Sequence, residues 1–232
     1  VGNNKPEPSI TYLLEDSKLQ GKGLLDALKA HPVLEKCYAR PLGGRDNHSL
    51  EEHTLKAIDC FEDNFQGKAK IIFEPQHFKL LLAFHDLGKP QAMAEEEPDK
   101  QHQFTLKIID QVRYELNLPR LLLHKIIAVI DADPIGKYLN SKHNLPIESS
   151  LNEINKMAAD LSAAVSTLWP TLLVYYYCDA AGYESLRRKV FVTDGEGRAV
   201  YFDDIQGFRL KDPTEAQRFE ALKQRIESIA RV

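Results

Sequence analysis

The chain has 232 residues, 43% of them hydrophobic and 28% charged, with 30 Lys and Arg against 34 Asp and Glu for a formal net charge of −4. That length is one large domain or two small ones, and the composition is that of a globular protein rather than a disordered chain. The slight acidity argues against non-specific binding of nucleic acid through bulk positive charge. The most apolar run, Thr171 to Cys178, is far shorter than a bilayer needs. The start, VGNNKPEP, lacks the apolar stretch of a signal peptide, and it opens on Val rather than Met, as a piece of a longer chain would. Cys37, Cys60 and Cys178 are scattered and odd in number, which suits a reducing compartment. The expectation is a soluble, cytoplasmic protein that does not insert in a membrane.

Helical periodicity dominates from about residue 12 to 188, with residues 1–20 read as an N-terminal tail and 21–189 as the helical domain. Leu50, His53, Thr54, Ala57, Ile58 and Phe61 recur at steps of three and four and make one stripe of an amphipathic helix. Pro75 suits the first turn of the next, whose body is Phe78, Leu81, Leu82 and His85, with Gly88 and Pro90 as stop signals. Glu95 to Lys100 is a solvated loop. A helix follows from about Gln101 to Glu115, and another from Leu118-Pro119 to Asp131. Asp133-Pro134 breaks it, because a residue before proline avoids the helical region. Ile147 to Ala164 and Trp169 to Arg187 complete the helical part. Val190 to Thr193 and Arg198 to Phe202, around Asp194-Gly-Glu-Gly, read as a β-hairpin. Asp212-Pro213 opens a closing helix to about Ala230. The expected fold is all-α, a helical bundle over residues 21–189, with the hairpin and helix of residues 190–232 packed on the same domain.

Polar residues on apolar stripes carry the functional information. His53 lies in the middle of its stripe, His85 continues the row of Phe78, Leu81 and Leu82, and Asp86 follows on a helix end that is apolar on nearly all sides. Asp179 sits among Leu172, Tyr175, Tyr176, Gly182 and Tyr183. A carboxylate taken out of water without a partner costs several kcal/mol, so it shifts its pKa or finds a cation. Two histidines and two carboxylates on three apolar helices ask for a shared cation, and that donor set suits Mn, Fe, Co, Ni or Zn. Histidines hydrogen-bonded within the core would satisfy the same pattern, and both readings stay open on periodicity alone.

His53, His85-Asp86 and Asp179, in that order, resemble the HD-domain superfamily of metal-dependent phosphohydrolases. Ser49-Leu-Glu-Glu-His53-Thr-Leu looks like the family's first histidine segment. Phe84-His-Asp-Leu-Gly-Lys-Pro90 looks like its central helix end, in the form seen in HD domains appended to tRNA nucleotidyltransferases, and Tyr177-Cys-Asp179-Ala resembles the last segment. The resemblance spans roughly residues 30 to 188. It implies an all-α fold and a divalent ion (Mn, Fe, Co, Ni, Zn or Mg) on His53, His85, Asp86 and Asp179. It also implies hydrolysis of a phosphoester, a nucleotide or another small phosphorylated metabolite, with Asp86 doubling as acceptor of the water's proton. Lys89 resembles the lysine that some members aim at phosphate, although a solvated lysine near a helix end also suits the helix dipole.

Some HD proteins place two further histidines between the central pair and the last Asp and bind a second metal. His102 opens a helix where the family often has one, near the substrate. His124 falls too early in its helix, and Asp131 or Asp133 stands where the next histidine would be. His48, His77 and His143 read as non-ligands. Arg45, in a loop with Gly43 and Gly44, could fork onto a phosphate oxygen. The clusters Arg187 to Lys189 and Arg209 to Lys211 read as solvated surface rather than a nucleic-acid track, and Cys178 as packing rather than a nucleophile. Trp169 and Tyr175 to Tyr177 could wall a pocket for a base, but their helical spacing reads as core. The alternatives are a non-catalytic HD module that binds nucleotide, RNA or a protein partner, and a di-iron oxygenase on an HD-like scaffold.

Overall fold

In a computed structural model, residues 10–42, 48–140, 145–183 and 213–230 are described. Among them the chain is helical, with no β-strand and a single antiparallel bridge between Pro41 and Ser49. The helices are α1 (Ile10–Leu14), α2 (Gly21–Lys29), α3 (Pro32–Tyr38), α4 (Leu50–Asn64), α5 (Pro75–Phe84) and α6 (Lys89–Ala94). A 3-10 turn (Pro98–Lys100) leads into α7 (Gln101–Val112), α8 (Arg120–Ala132), α9 (Pro134–Leu139), α10 (Ile147–Asp160), α11 (Val165–Ala181) and α12 (Pro213–Ala230).

Helix α5 is the axis of the core. Every residue from Phe78 to Phe84 is buried, because α2, α4, α8 and α11 pack around it. Helix α4 starts at a reciprocal cap, in which Ser49 accepts from the Glu52 N–H while the Glu52 carboxylate accepts from the Ser49 N–H. Its buried stripe, Leu50, His53, Thr54, Ala57, Ile58 and Phe61, lies chiefly against α11. No single helix among the described residues is long and apolar enough to cross a membrane. The pair α10 and α11 has the length and composition together, but it is bent by 113° and α11 is core.

Several boundaries differ from the sequence reading. The described part of the 1–20 tail is folded: Ile10 and Leu14, one helical turn apart, are buried in the core, and the Asp16 and Leu19 carbonyls accept from Gln76 and Lys79 of α5. Pro90 does not stop a helix. It sits in the first turn of α6, where its missing N–H has no partner to lose. Asp133 ends α8 with a left-handed backbone (φ 32°, ψ 59°) and at once caps α9, its carboxylate accepting from the Gly136 N–H. The hairpin expected at residues 190–202 lies outside the described residues. The closing helix is present as α12, and buries Phe219, Leu222 and Ile226 against the body of the protein.

Candidate metal centre

Three helices bring the four expected ligands together. His53 comes from the first turn of α4, at its fourth residue. His85 and Asp86 come from the turn that closes α5, where the chain keeps helical dihedrals at His85 (φ −56°, ψ −37°) so that its ring continues the buried row. Asp179 comes from the last turn of α11. Ligand atoms of all four lie within 4.8 Å of one another, and the group could hold a metal ion. His53 Nε2 is 3.1 Å from His85 Nε2, 3.2 Å from Asp179 Oδ1 and 3.4 Å from Asp86 Oδ2. His85 Nε2 is 3.2 Å from Asp179 Oδ1 and 3.6 Å from Asp86 Oδ2. Donors held about 2.0–2.2 Å from one transition ion stand about 3.0–3.5 Å apart, so these spacings are close to the edges of a single coordination shell.

The proton positions point the same way. His85 Nδ1 lies 2.6 Å from the Leu82 carbonyl, which can only accept, so Nδ1 carries a hydrogen. In the neutral ring Nε2 then presents a lone pair to two carboxylates and another imidazole, an arrangement that needs a cation. Without a metal that cation is a proton. Burial works against charge on His85, but Asp86 and Asp179 outweigh it and lift the ring to about 9. Burial likewise opposes the charge on Asp86, and Lys89 and His85 more than offset it, which leaves its pKa below the usual carboxylate value. Hydrogen bonds with His53 and His85 overcome burial at Asp179 and hold it well below that value.

His53, His85 and Asp86 are almost wholly buried, whereas a third of the Asp179 side chain is exposed, so the centre opens to solvent on the Asp179 side. Lys89, 20% exposed, donates to Asp86 Oδ2 over 2.7 Å and to the Tyr183 hydroxyl. The Tyr183 hydroxyl is 3.4 Å from Asp86 Oδ2, and its ring lies against His53 with centroids 4.5 Å apart. Two glycines make these approaches possible. A Cβ on Gly182 would meet His53 Cε1 and Nδ1 at 2.4 Å, and one on Gly88 would meet the Thr105 nitrogen at 2.2 Å. The first turn of α7 therefore lies directly on the His85-Asp86 turn, with the Gly88 N–H donating to Thr105 Oγ1 at 2.9 Å.

That contact carries His102 to the edge of the centre, where it faces Asp133 with Nε2 3.7 Å from Oδ2. Burial and Lys137 lower the pKa of His102, while burial and the negative Asp179 and Asp86 push Asp133 up to about 7. His102 and Asp133 are two donors, and among the described residues only the His53, His85, Asp86 and Asp179 group gathers three or more. Other expectations sort cleanly. His124 pairs with Asp160 on the surface, His48 lies beside Lys56, and His77 is half-buried away from the cluster. Asp131 is exposed, and its carbonyl accepts from Lys137. Trp169, Tyr175 and Tyr177 are core, and Tyr175 meets the His85 ring edge-on. Cys178 is fully buried, and burial raises its thiol well above the ordinary value. Arg45, His143, Arg187 to Lys189 and Arg209 to Lys211 lie outside the described residues.

Tyr183, Gly182 and Thr105 went unread as parts of the site. The sequence offered only their spacing: Gly182-Tyr183 falls one turn after Asp179, and Thr105 one turn after His102. Comparison of the chain with protein-family models, curated proteins and solved structures finds no match.

Proposed function

We propose that the chain is a divalent-metal-dependent phosphohydrolase of HD type, acting on a small phosphoester. The observation that carries this reading is the four-donor group at single-shell spacing, open on one side, with the partly exposed ammonium of Lys89 on Asp86. His53, His85, Asp86 and Asp179 would hold the ion. When bound, the ion supplies Lewis acidity to a phosphoryl oxygen and to the attacking water. Asp86 takes up the proton that water loses, as a carboxylate already held in its charged form. Lys89 offers its ammonium to a non-bridging phosphoryl oxygen, and Tyr183 keeps that ammonium in place. His102 would add a substrate contact in this reading, and Arg45, outside the described residues, is assigned a phosphate contact from the sequence alone.

The test is metal content by elemental analysis, after exposure to mixed Mn, Fe, Co, Ni and Zn and removal of unbound ions. About one ion per chain is expected, together with turnover of a generic phosphoester. Asp86→Ala should lose the ion and the activity while keeping its helicity. An Asp86→Ala variant that retains both would overturn the assignment. Metal retention without turnover of any phosphoester would favour the non-catalytic module. A di-iron oxygenase needs a second donor set, for which the His102 and Asp133 pair is too small.

A further inference from the structure

Beside the metal centre lies a cleft of about 250 Å³ between the start of α7 and the length of α9. It is smaller than the roughly 300–1,000 Å³ pockets that enclose drug-sized ligands, so it takes a compact group. Its polar lining is Asp99, Gln101, His102, Asp133, Lys137 and Asn140. Among the described residues Pro98 and Gly136 complete the wall, and none of these lining residues is a Phe, Tyr, Trp or branched aliphatic residue. The one ring, the His102 imidazole, has Nε2 set between Asp133 Oδ2 at 3.7 Å and Gln101 Nε2 at 3.4 Å.

The cleft adjoins the metal centre through the start of α7: a Cβ on Gly88, two residues after Asp86, would meet the Gln101 carbonyl oxygen at 2.6 Å. His102 lies within the fields of Asp86 and His85, and Asp133 within those of Asp179 and Asp86. Asp133 is held there by a built turn. Its left-handed backbone points the carboxylate at the Gly136 N–H, and a Cβ on Gly136 would meet that carboxylate at 2.3 Å. Asparagine and aspartate tolerate this conformation better than other side chains, yet it is uncommon and clusters at functional positions.

The lining discriminates between leaving groups. A nucleobase is recognised by stacking on aromatic faces, and among the described residues this wall offers none of the large ones. A second phosphate would meet the Asp99 carboxylate and the side chain of Asp133 against, among the described residues, the one ammonium of Lys137. Hydroxyl groups both donate and accept, and two carboxamides, two carboxyl groups and an ammonium supply partners for both roles. We infer that this cleft holds the leaving group of the substrate, and that the group is an uncharged, hydroxyl-rich sugar or polyol, so the substrate is a sugar or polyol monophosphate. The inference rests on the phosphohydrolase reading for the position of the phosphate, while the cleft's preference for a polyol can be measured without it.

Two measurements on the full chain decide. Metal-loaded protein is assayed on hexose, pentose and glycerol phosphates, on nucleoside mono- and triphosphates, and on p-nitrophenyl phosphate. Sugar or polyol phosphates should lead the others by about tenfold or more in kcat/KM. Gln101→Leu and Asn140→Leu should cut that lead by about tenfold, chiefly through KM, because each removes a hydrogen-bonding partner from the bound group. Separately, saturation-transfer NMR on the metal-free chain compares a free hexose with free adenosine. Transfer to the hexose, weakened in Gln101→Leu, is expected. Turnover that favours nucleotides or p-nitrophenyl phosphate, or variants that leave the ranking unchanged, overturns the substrate class alone. Transfer to adenosine and not to hexose overturns it also, whatever the turnover. Absence of turnover on every substrate removes the hydrolase reading instead, and the substrate assignment with it.

Discussion

Gly182 is the floor beneath His53. Its backbone is ordinary right-handed helix (φ −63°), so alanine adds no backbone strain, and the effect of Gly182→Ala falls chiefly on the ring 2.4 Å from the new methyl. The ring must turn or shift, which moves Nε2 out of the shell formed with His85, Asp86 and Asp179. A metal titration should therefore show affinity lowered by about 10–100-fold, the loss typical when support of a ligand is disturbed, with helicity kept. An unchanged affinity would mean that His53 is not a ligand. Tyr183 acts one step further out. Tyr183→Phe removes the hydroxyl partner of Lys89 but keeps the ring on His53, so it should leave metal content intact and raise KM for a phosphoester. Equal loss of metal in Tyr183→Phe would place the hydroxyl in the metal's own support instead.

Helices α2, α4 and α5 are tied by a buried ion pair. Lys79, 1% exposed on the core helix α5, donates to Glu62 Oε1 of α4 at 2.8 Å and to the Leu19 carbonyl, and the same carboxylate oxygen accepts from the Gly21 N–H that begins α2. The pair thus supplies a partner for an end-of-helix N–H and anchors the segment before α2. Taking away one member strands the other and frees a backbone carbonyl. Lys79→Met should cost about 3 kcal/mol in urea unfolding, at the lower end for such pairs because Glu62 is 23% exposed. The double variant Lys79→Met with Glu62→Gln should recover part of that loss. Helix α12 is held differently, through Arg218, which donates to the Tyr138 and Leu145 carbonyls at 2.6 and 2.8 Å and stacks on the Tyr138 ring. It packs against α9, α10 and α11.

For the whole molecule, the charge in the His53, His85, Asp86 and Asp179 cluster makes stability depend on pH in a predictable sense. His85 is raised from 6.5 to about 9, so in the metal-free protein its contribution is complete below about 6.5 and fades as pH rises through about 9. Asp86 and Asp179 are depressed, so their contributions hold above the ordinary carboxylate range and fade only in acid, as pH falls through their lowered values. The urea midpoint of chelated protein should fall between pH 6.5 and 9.5, by an amount equivalent to at most about 3 kcal/mol. With a divalent ion present the order reverses. The ion takes the neutral ring in place of the proton, and stabilisation should grow with pH over the same interval. A chelated protein equally stable at both pH values would show that the proton is not held on His85.

What the sequence determined by itself is local. Apolar residues at steps of three and four made α4, α5, α7, α8, α10 and α11 legible and Asp212-Pro213 announced α12, while the odd polar residue on those stripes marked His53, His85 and Asp86 as buried; that the four donors form one set was implied by the resemblance. The reason is that helical periodicity assigns each side chain to a face, and the hydrophobic effect buries that face whatever it packs against. Short elements escaped for the converse reason: α1, α6 and α9 have five or six residues each, too few to show a period, and are held by the core around them. Only the tertiary structure decided which faces meet. His53 and His85 are 32 residues apart, and His85 and Asp179 94, and their contact depends on how α4, α5 and α11 are registered across the core. The same registration seats Gly182 under His53, rests α7 on Gly88, brings Tyr183 to Lys89, and turns His102 toward Asp133 to form the cleft. These are close approaches between backbones and rings, set by the packing of distant segments against one another, and no local pattern encodes them.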